Sequence, residues 1–353
     1  MLSQKELTMI ITNAFTVKML LTYPNGLIDL CGNSAWIAVI ISTAAAAAVF
    51  WITTLLYVPN KNIIGIAETL GGSGLRIATG VAVFVIMALG FFGVWRSFVE
   101  IIRLVLLQGT YIEFIALLFG ITLLLGAMCG IKAIGRVHGI FIPVAAISFV
   151  LFVILAVPEF KTLNIFPIFG RGVKNTFLYG FNGLSIFSDL LMLNILIPYS
   201  GTLNNYKKSG AKSIWIGGAC AFLIMICYNL IYTYPASADF IVPVYQVERL
   251  MRFSSFFSRF EAVFQLIWSL AIMLYGSAYS YTMALVWQST FKLKDIKPVI
   301  YVTVAAMGAA ALVPEDFELM ILMERIINKY LFIPVLLLPI IFGAVSRKKA
   351  KKA

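Results

Sequence analysis

The sequence predicts an all-α membrane protein of about ten transmembrane helices, and three observations carry that reading. The 353 residues are 61% hydrophobic and only 12% charged, against about 45–50% apolar and about 25% charged in soluble domains. The apolar residues fall in runs of the roughly 20 residues that a spanning helix needs, without the strict alternation of a β-barrel, and lipid admits only these two ways of satisfying a backbone. The basic residues lie singly or in small groups between the runs, where they set orientation. That placement accounts for the formal charge of +12 without nucleic acid.

Spans are expected near 7–24, 35–58, 77–107, 111–129, 139–157, 176–198, 212–234, 256–289, 298–313 and 330–346. Alternating the loops collects sixteen basic residues on one face, from Lys5 and Lys61 to Lys297 and the tail 347–353. Eight fall on the other face, among them Lys161, Arg171, Arg259, Arg325 and Lys329. The richer face is the cytoplasmic one, so both termini are expected there. Nine or eleven spans would mix the two groups.

Two spans read as interrupted. The first carries Lys18 and then Thr22-Tyr23-Pro24-Asn25-Gly26; the sixth carries Gly180-Phe181-Asn182-Gly183, then Ser185 and Asp189. Proline and paired glycines weaken a helix, and loose helix packing would explain either break alone. Spans 1 and 6 correspond, however, if the chain is a 5+5 inverted repeat, with one unit over about 7–157 and the other over about 176–346. Transporters of that architecture place their site at the midplane between two broken helices. The halves show no clear sequence similarity, so the repeat rests on architecture.

Ionisable groups inside a span face a cavity, a partner or a pathway. In the third span Arg96, Glu100 and Arg103 share a face at spacings of four and three, as an ion-paired packing network or as part of a gate or proton path. Lys18 has no acid one turn away and is expected to pair with Asp189 or with a ligand carboxylate, or to snorkel. Arg259 and Glu261 open the eighth span near the outer interface, and Tyr275, Tyr279 and Tyr281 add hydroxyls further along it. The stretch 240–253 reads as a short surface lid.

Other features are plain. Cys31, Cys129, Cys220 and Cys227 show no metal-ligand pairing, so no disulfide, zinc site or other cofactor is expected. The single histidine, His138, reads as a surface residue at a span boundary, and Gly71-Gly72-Ser73-Gly74 as a flexible turn in a loop. Nothing matches a phosphate-binding loop, and no catalytic pair is evident, so an enzyme is not expected. The N-terminus shows no cleavable signal.

Several stretches together resemble the endospore germination permease family, the B subunit of GerA-type germinant receptors within the amino acid/polyamine/organocation superfamily. They are Leu20-Leu21-Thr22-Tyr23-Pro24, Ala35-Trp36-Ile37, Arg96 with Glu100, the run Asn164-Ile165-Phe166-Pro167-Ile168-Phe169-Gly170-Arg171-Gly172, Arg259-Phe260-Glu261 with Trp268, and the basic tail. The resemblance implies a LeuT-like arrangement with broken helices 1 and 6, in the inner membrane of an endospore. It implies a receptor that binds a small germinant such as an amino acid, with an A-type membrane subunit and a C-type lipoprotein as partners. A proton-coupled transporter of amino acids or similar organic ions, and a scaffold that binds nothing, are the alternatives. The candidate site residues are Val17, Lys18, Thr22, Tyr23, Asn182, Gly183, Ser185 and Asp189 at the two breaks, Arg96, Glu100 and Glu261, which the resemblance also implies, and Tyr279 on the eighth span. One departure stands out. Superfamily members commonly carry Gly-x-Gly at the first break, where this chain reads Val17-Lys18-Met19, so Lys18 either supplies the positive charge to a ligand or fills its place.

Overall fold

The computed structural model describes residues 1–55, 58, 61–240, 242–250 and 260–350. Its α-helices are α1 (Gln4–Leu20), α2 (Tyr23–Cys31), α3 (Ala35–Thr54), α4 (Ile63–Val105), α5 (Ile112–Met128), α6 (Ile131–Ala156), α7 (Val173–Gly180), α8 (Leu190–Ile195), α9 (Ile197–Ser200), α10 (Leu203–Ile231), α11 (Pro243–Leu250), α12 (Phe260–Phe291), α13 (Lys297–Ala311) and α14 (Phe317–Ala350). Six helical stretches are long and apolar enough to cross a membrane, and α5 and α13 are shorter apolar helices. The first of the six, Tyr23–Thr54, joins α2 to α3; taking α2 with α1 as the interrupted first span, and adding α14, gives ten spans among the described residues. On α6 the exposed residues Ile140, Ile147 and Ile154 recur every seventh position, an apolar stripe turned to lipid.

Local chemistry sets the two interruptions. Helix α1 starts with a capping box, Glu6 N–H donating to Ser3 Oγ (3.2 Å) and Ser3 N–H to Glu6 Oε2 (2.7 Å), which satisfies two orphan donors. It stops at Leu20 because Pro24 has no N–H to offer and its ring would clash with the carbonyl four residues back. Leu21 leaves the helical region at φ −100°, ψ −141°, and the chain resumes as α2 with Pro24 in its first turn. The break therefore falls at Leu21–Thr22, and Val17 and Lys18 remain in the last turn of regular helix.

The sixth span runs from α7 through a 3₁₀ segment, Phe181–Asp189, into α8. Runs of that length are uncommon for 3₁₀ geometry. Here α3 lies against the segment: a side chain at Gly183 would collide with Ser42, and Ser42 Oγ donates towards the Gly180 carbonyl at 2.7 Å.

Several expectations need correcting. Gly71–Gly74 is not in a loop; Gly71 and Gly72, the latter at φ +73°, form a sharp kink inside α4, so the third span has a helical lead-in from Ile63. The tenth span begins at Phe317 rather than near 330, which puts Glu324, Arg325 and Lys329 on a helix instead of in a loop. The stretch 240–253 is in part α11, whose Pro243, Val244, Val247 and Glu248 are buried; that helix packs inward instead of lying free, and 241 and 251–253 fall outside the described residues.

His138 is fully buried rather than superficial. Small residues let α1 and α6 approach: a side chain at Gly135 would meet Leu2 and Glu6. The Ile134 carbonyl, 2.9 Å from Nδ1, fixes the proton there, so Nε2 accepts from Asn13 Nδ2 at 3.3 Å. Asn13 Nδ2 also donates to the Ala271 carbonyl of α12 at 2.8 Å, tying three helices through one amide. Asn13→Leu strands both acceptors and is expected to cost about 1–3 kcal/mol, read as a lower unfolding midpoint of the purified protein in detergent; an unchanged midpoint would mean that this tie contributes nothing.

Candidate functional site

Where α2 starts, the chain emerging from the first break, the 3₁₀ segment of the sixth span and α14 draw apart around a cavity of about 470 Å³, within the range that takes a small organic ligand. Helix α2 and the residue before it contribute Thr22, Tyr23, Asn25 and Asp29, the 3₁₀ segment Asn182 and Ser185, and α14 Ile321, Glu324, Arg325, Asn328 and Lys329. The cavity opens at the end of α2 remote from the N-terminus, where Arg171 of the 160–172 loop joins its lining.

Glu324 sits at the inner end. Thr22 Oγ1 donates to Glu324 Oε2 at 2.5 Å and Ser97 Oγ of α4 reaches the same oxygen at 3.3 Å, while the two hydroxyls lie 3.1 Å apart. Asn328, one turn along α14, adds a third neutral partner. Gly93 makes room for the carboxylate; a Cβ there would lie 3.3 Å from Glu324 Cγ. On the wall, Tyr23 Oη hydrogen-bonds Ser185 Oγ and lies 3.2 Å from the Asn182 carbonyl. Asn182 is only 8% exposed, and its Nδ2 has no partner among the described residues.

At the mouth, Arg325 Nη2 is 2.5 Å from Asp29 Oδ2 and donates to Asn25 Oδ1 at 2.9 Å. Arg171 Nη1 donates to the Asp29 carbonyl at 2.5 Å. Arg171 is held there by its loop: Asn33 Nδ2 donates to the Phe166 carbonyl (2.8 Å), and the Arg171 N–H to the Cys31 carbonyl (3.2 Å).

Below the cavity, towards Lys18, the space shrinks to a small void. A void of about 10 Å³ touches Lys18, Tyr23, Gly93, Glu324 and Asn328. Lys18 Nζ lies 3.0 Å from Asp189 Oδ2 and donates to Ser188 Oγ at 2.6 Å; the two charged side chains are 6% and 0% exposed. Tyr275 Oη donates to the same Asp189 oxygen at 3.5 Å, and Asp189 Oδ1 has no partner among the described residues. The two broken spans are thus locked together by an ion pair one turn below Glu324.

Of the residues expected from the sequence, Thr22, Tyr23, Asn182 and Ser185 line the cavity, and Lys18 and Asp189 lie directly under it. The others are placed elsewhere. Val17 is in the core, and Gly183 faces Ser42 of α3. Tyr279 donates to the Met87 carbonyl (3.2 Å) and stacks on Phe91. Arg96 and Glu100 pair at 3.6 Å, with Arg103 on the other carboxylate oxygen and Arg96 Nη1 3.5 Å from the Ala311 carbonyl, a network that does not line the cavity. The side chain of Glu261, and all of Arg259, lie outside the described residues.

Sequence reasoning missed Glu324. The signal was present: Met320-Ile321-Leu322-Met323-Glu324-Arg325-Ile326-Ile327 is an apolar helical run with ionisable residues inside it, the pattern that marks a site. Among the described residues no group of three or more His, Cys, Asp and Glu side chains could hold a metal ion.

The bundle is similar to solved transporters. The nucleobase-cation-symport-1 family transporter MHP1, in a closed conformation with bromovinylhydantoin bound, superposes at a TM-score of 0.65 with 15% identity, over 94% of this chain and 74% of that one. MhsT in complex with L-phenylalanine gives 0.59 at 11% identity, covering 93% and 88%. The Eremococcus coleocola manganese transporter, bound to an aromatic bis-isothiourea compound, gives 0.59 at 12% identity, covering 96% and 76%. At such identities the likeness is one of fold, a LeuT-like bundle with its first and sixth spans broken, and not of function. No curated protein matches the sequence. The family model described as spore germination protein, the spore permeases, matches residues 1–317, and the chain, a multi-pass permease-like membrane protein, belongs to that family.

Proposed function

We propose that this chain is the permease-like B subunit of a spore nutrient-germinant receptor, binding a small polar germinant such as an amino acid. The observation that carries the reading is the cavity of about 470 Å³ at the first helix break, lined by Thr22 and Tyr23 from one broken span and Asn182 and Ser185 from the other. A solute held there touches both interrupted helices, so it can favour one arrangement of them over another by its differential affinity. Likeness in fold to a protein solved with L-phenylalanine supports an amino acid as the class. The inner membrane of the spore is the proposed location, with both termini cytoplasmic and an A-type subunit and a C-type lipoprotein as partners.

The test is germination of spores in which this chain carries Tyr23→Phe or Asn182→Leu, with its level matched to wild type, against a panel of amino acids. Each variant is expected to raise the concentration needed for half-maximal response or to change which amino acids act. Unchanged concentration dependence for both would sink the assignment of this cavity. The likeness in fold to transporters favours a second reading, proton-coupled uptake of an amino acid. Accumulation of a labelled amino acid by vesicles bearing the chain, abolished by collapse of the proton gradient, is its signature, whereas binding without accumulation belongs to the receptor.

A further inference from the structure

The charges around the cavity are only partly paired off. Five ionisable side chains of the acidic and basic residues line it: Asp29, Glu324, Arg171, Arg325 and Lys329. Asp29 and Arg325 neutralise each other at the mouth, 2.5 Å apart. What remains is one carboxylate, Glu324, with Arg171 as a cation at the mouth; Lys329 lies further along α14 than Glu324, its Nζ 5.6 Å from the Tyr330 ring centroid. Among the described residues neither Arg171 nor Lys329 has a carboxylate within ion-pair distance, and Glu324 has no lysine or arginine within it. The partners of Glu324 are neutral: the hydroxyls of Thr22 and Ser97, and the side chain of Asn328. Neutral groups solvate a carboxylate only in part, and a charge removed from water without a counter-charge is costly.

The nearest alternative counter-charge is already committed. Lys18, one turn below, is held by Asp189 at 3.0 Å and by Ser188 at 2.6 Å, so it is not free to turn up to Glu324. The wall adds a donor: Asn182 Nδ2, nine-tenths buried and without a partner among the described residues. From the inside outward the cavity offers an anionic acceptor, Glu324, a neutral donor, Asn182, and a cationic donor, Arg171.

We propose that Glu324 is the ammonium receptor of this cavity, so that a zwitterionic ligand enters amine first, its carboxylate left towards Asn182 and Arg171. This rests on the reading of the cavity as the ligand site. It reverses the polarity expected where a half-helix N-terminus takes a substrate carboxylate. At the N-terminus of α2 that place is filled by the chain's own carboxylate, since Glu324 is bonded to Thr22, the residue that precedes the helix. The specificity that follows is for a primary amine first and for an acid second.

The test uses the full-length chain in lipid nanodiscs and isothermal titration with the proteinogenic amino acids. The tightest binder is then compared with its decarboxylated amine and its deaminated acid. Wild-type protein is expected to retain the amine and lose the acid, and Glu324→Gln to weaken the amino acid and the amine at least about 30-fold, the loss typical when one member of a buried charge pair is truncated. Retention of the amino acid by Glu324→Gln within about 3-fold, or wild-type binding of the acid as tight as that of the amine, overturns the orientation and leaves the cavity as the ligand site. Failure of every amino acid to bind wild-type protein overturns both. Because the amine and acid are compared on the wild-type chain, the outcome does not depend on Glu324→Gln folding.

Discussion

Lys18→Met is expected to lower the stability of the purified protein by about 3–5 kcal/mol, because it leaves the carboxylate of Asp189 buried and uncompensated. The side chain of Asp189 is 0% exposed, its Oδ1 has no partner among the described residues, and Lys18 Nζ at 3.0 Å is the cation that neutralises it; Tyr275 at 3.5 Å is a poor substitute. Asp189→Leu should cost a similar amount by stranding the ammonium. The informative protein is the double variant Lys18→Met/Asp189→Leu, in which both charges are gone and similar apolar volumes fill the site; it is expected to recover most of the loss. Chemical unfolding of the four proteins in one detergent gives the coupling energy directly. Additive losses would show that the two side chains act separately and that the pair does not join the broken spans.

Gly170→Ala is the second large effect, and it acts through backbone. Gly170 has φ +47°, and a Cβ there would run into the Cys31 carbonyl, with Ser34 N at 2.8 Å and Asn33 N at 2.9 Å. The left-handed conformation alone costs an ordinary residue about 1–2 kcal/mol. The collision adds to it, because no side-chain rotamer can move the obstacle. The loop must then lift from the corner between α2 and α3, and Arg171, the next residue, leaves the mouth of the cavity. The expected result is a loss of more than about 2 kcal/mol in an unfolding titration together with a weakened response to germinant. Gly26→Ala is the control: nothing lies within 4 Å of a Cβ there, and in a helix alanine is about 0.5–1 kcal/mol better than glycine. Equal effects at the two positions would contradict the packing described at Gly170.

What the sequence made legible was local. Pro24 and Gly26 marked the first span as interrupted; the break, expected around Val17 to Thr22, lies at the far end of that stretch, Leu21–Thr22. Lys18, an isolated charge in an apolar span, was expected to pair with Asp189 or a ligand carboxylate or to snorkel, and it lies 3.0 Å from Asp189. Glu100 was expected between two arginines on one helical face, where it sits. What stayed hidden depends on which helices become neighbours. Glu324, Arg325 and Lys329 dilute the hydropathy at the start of α14 and so resembled a loop, although a helix lining a polar cavity has every reason to carry charge. His138 looked superficial because Asn13, its partner, is 125 residues away. Glycines 71 and 72 suggested a flexible turn because composition does not distinguish a kink within a helix from an end to it.

Glu324 and Arg325 are consecutive residues of α14, separated by about 100° around its axis. One reaches Thr22 and Ser97 at the inner end of the cavity and the other reaches Asp29 and Asn25 at its mouth. A helix turns as a unit, so any rotation or slide that draws Glu324 off its hydroxyls carries Arg325 off Asp29 in the same stroke. Asp29 in turn is the last acid of α2 and shares its carbonyl with Arg171. Any displacement of Glu324 is thereby geared to the Asp29–Arg325 pair at the mouth as a crank is geared to its shaft.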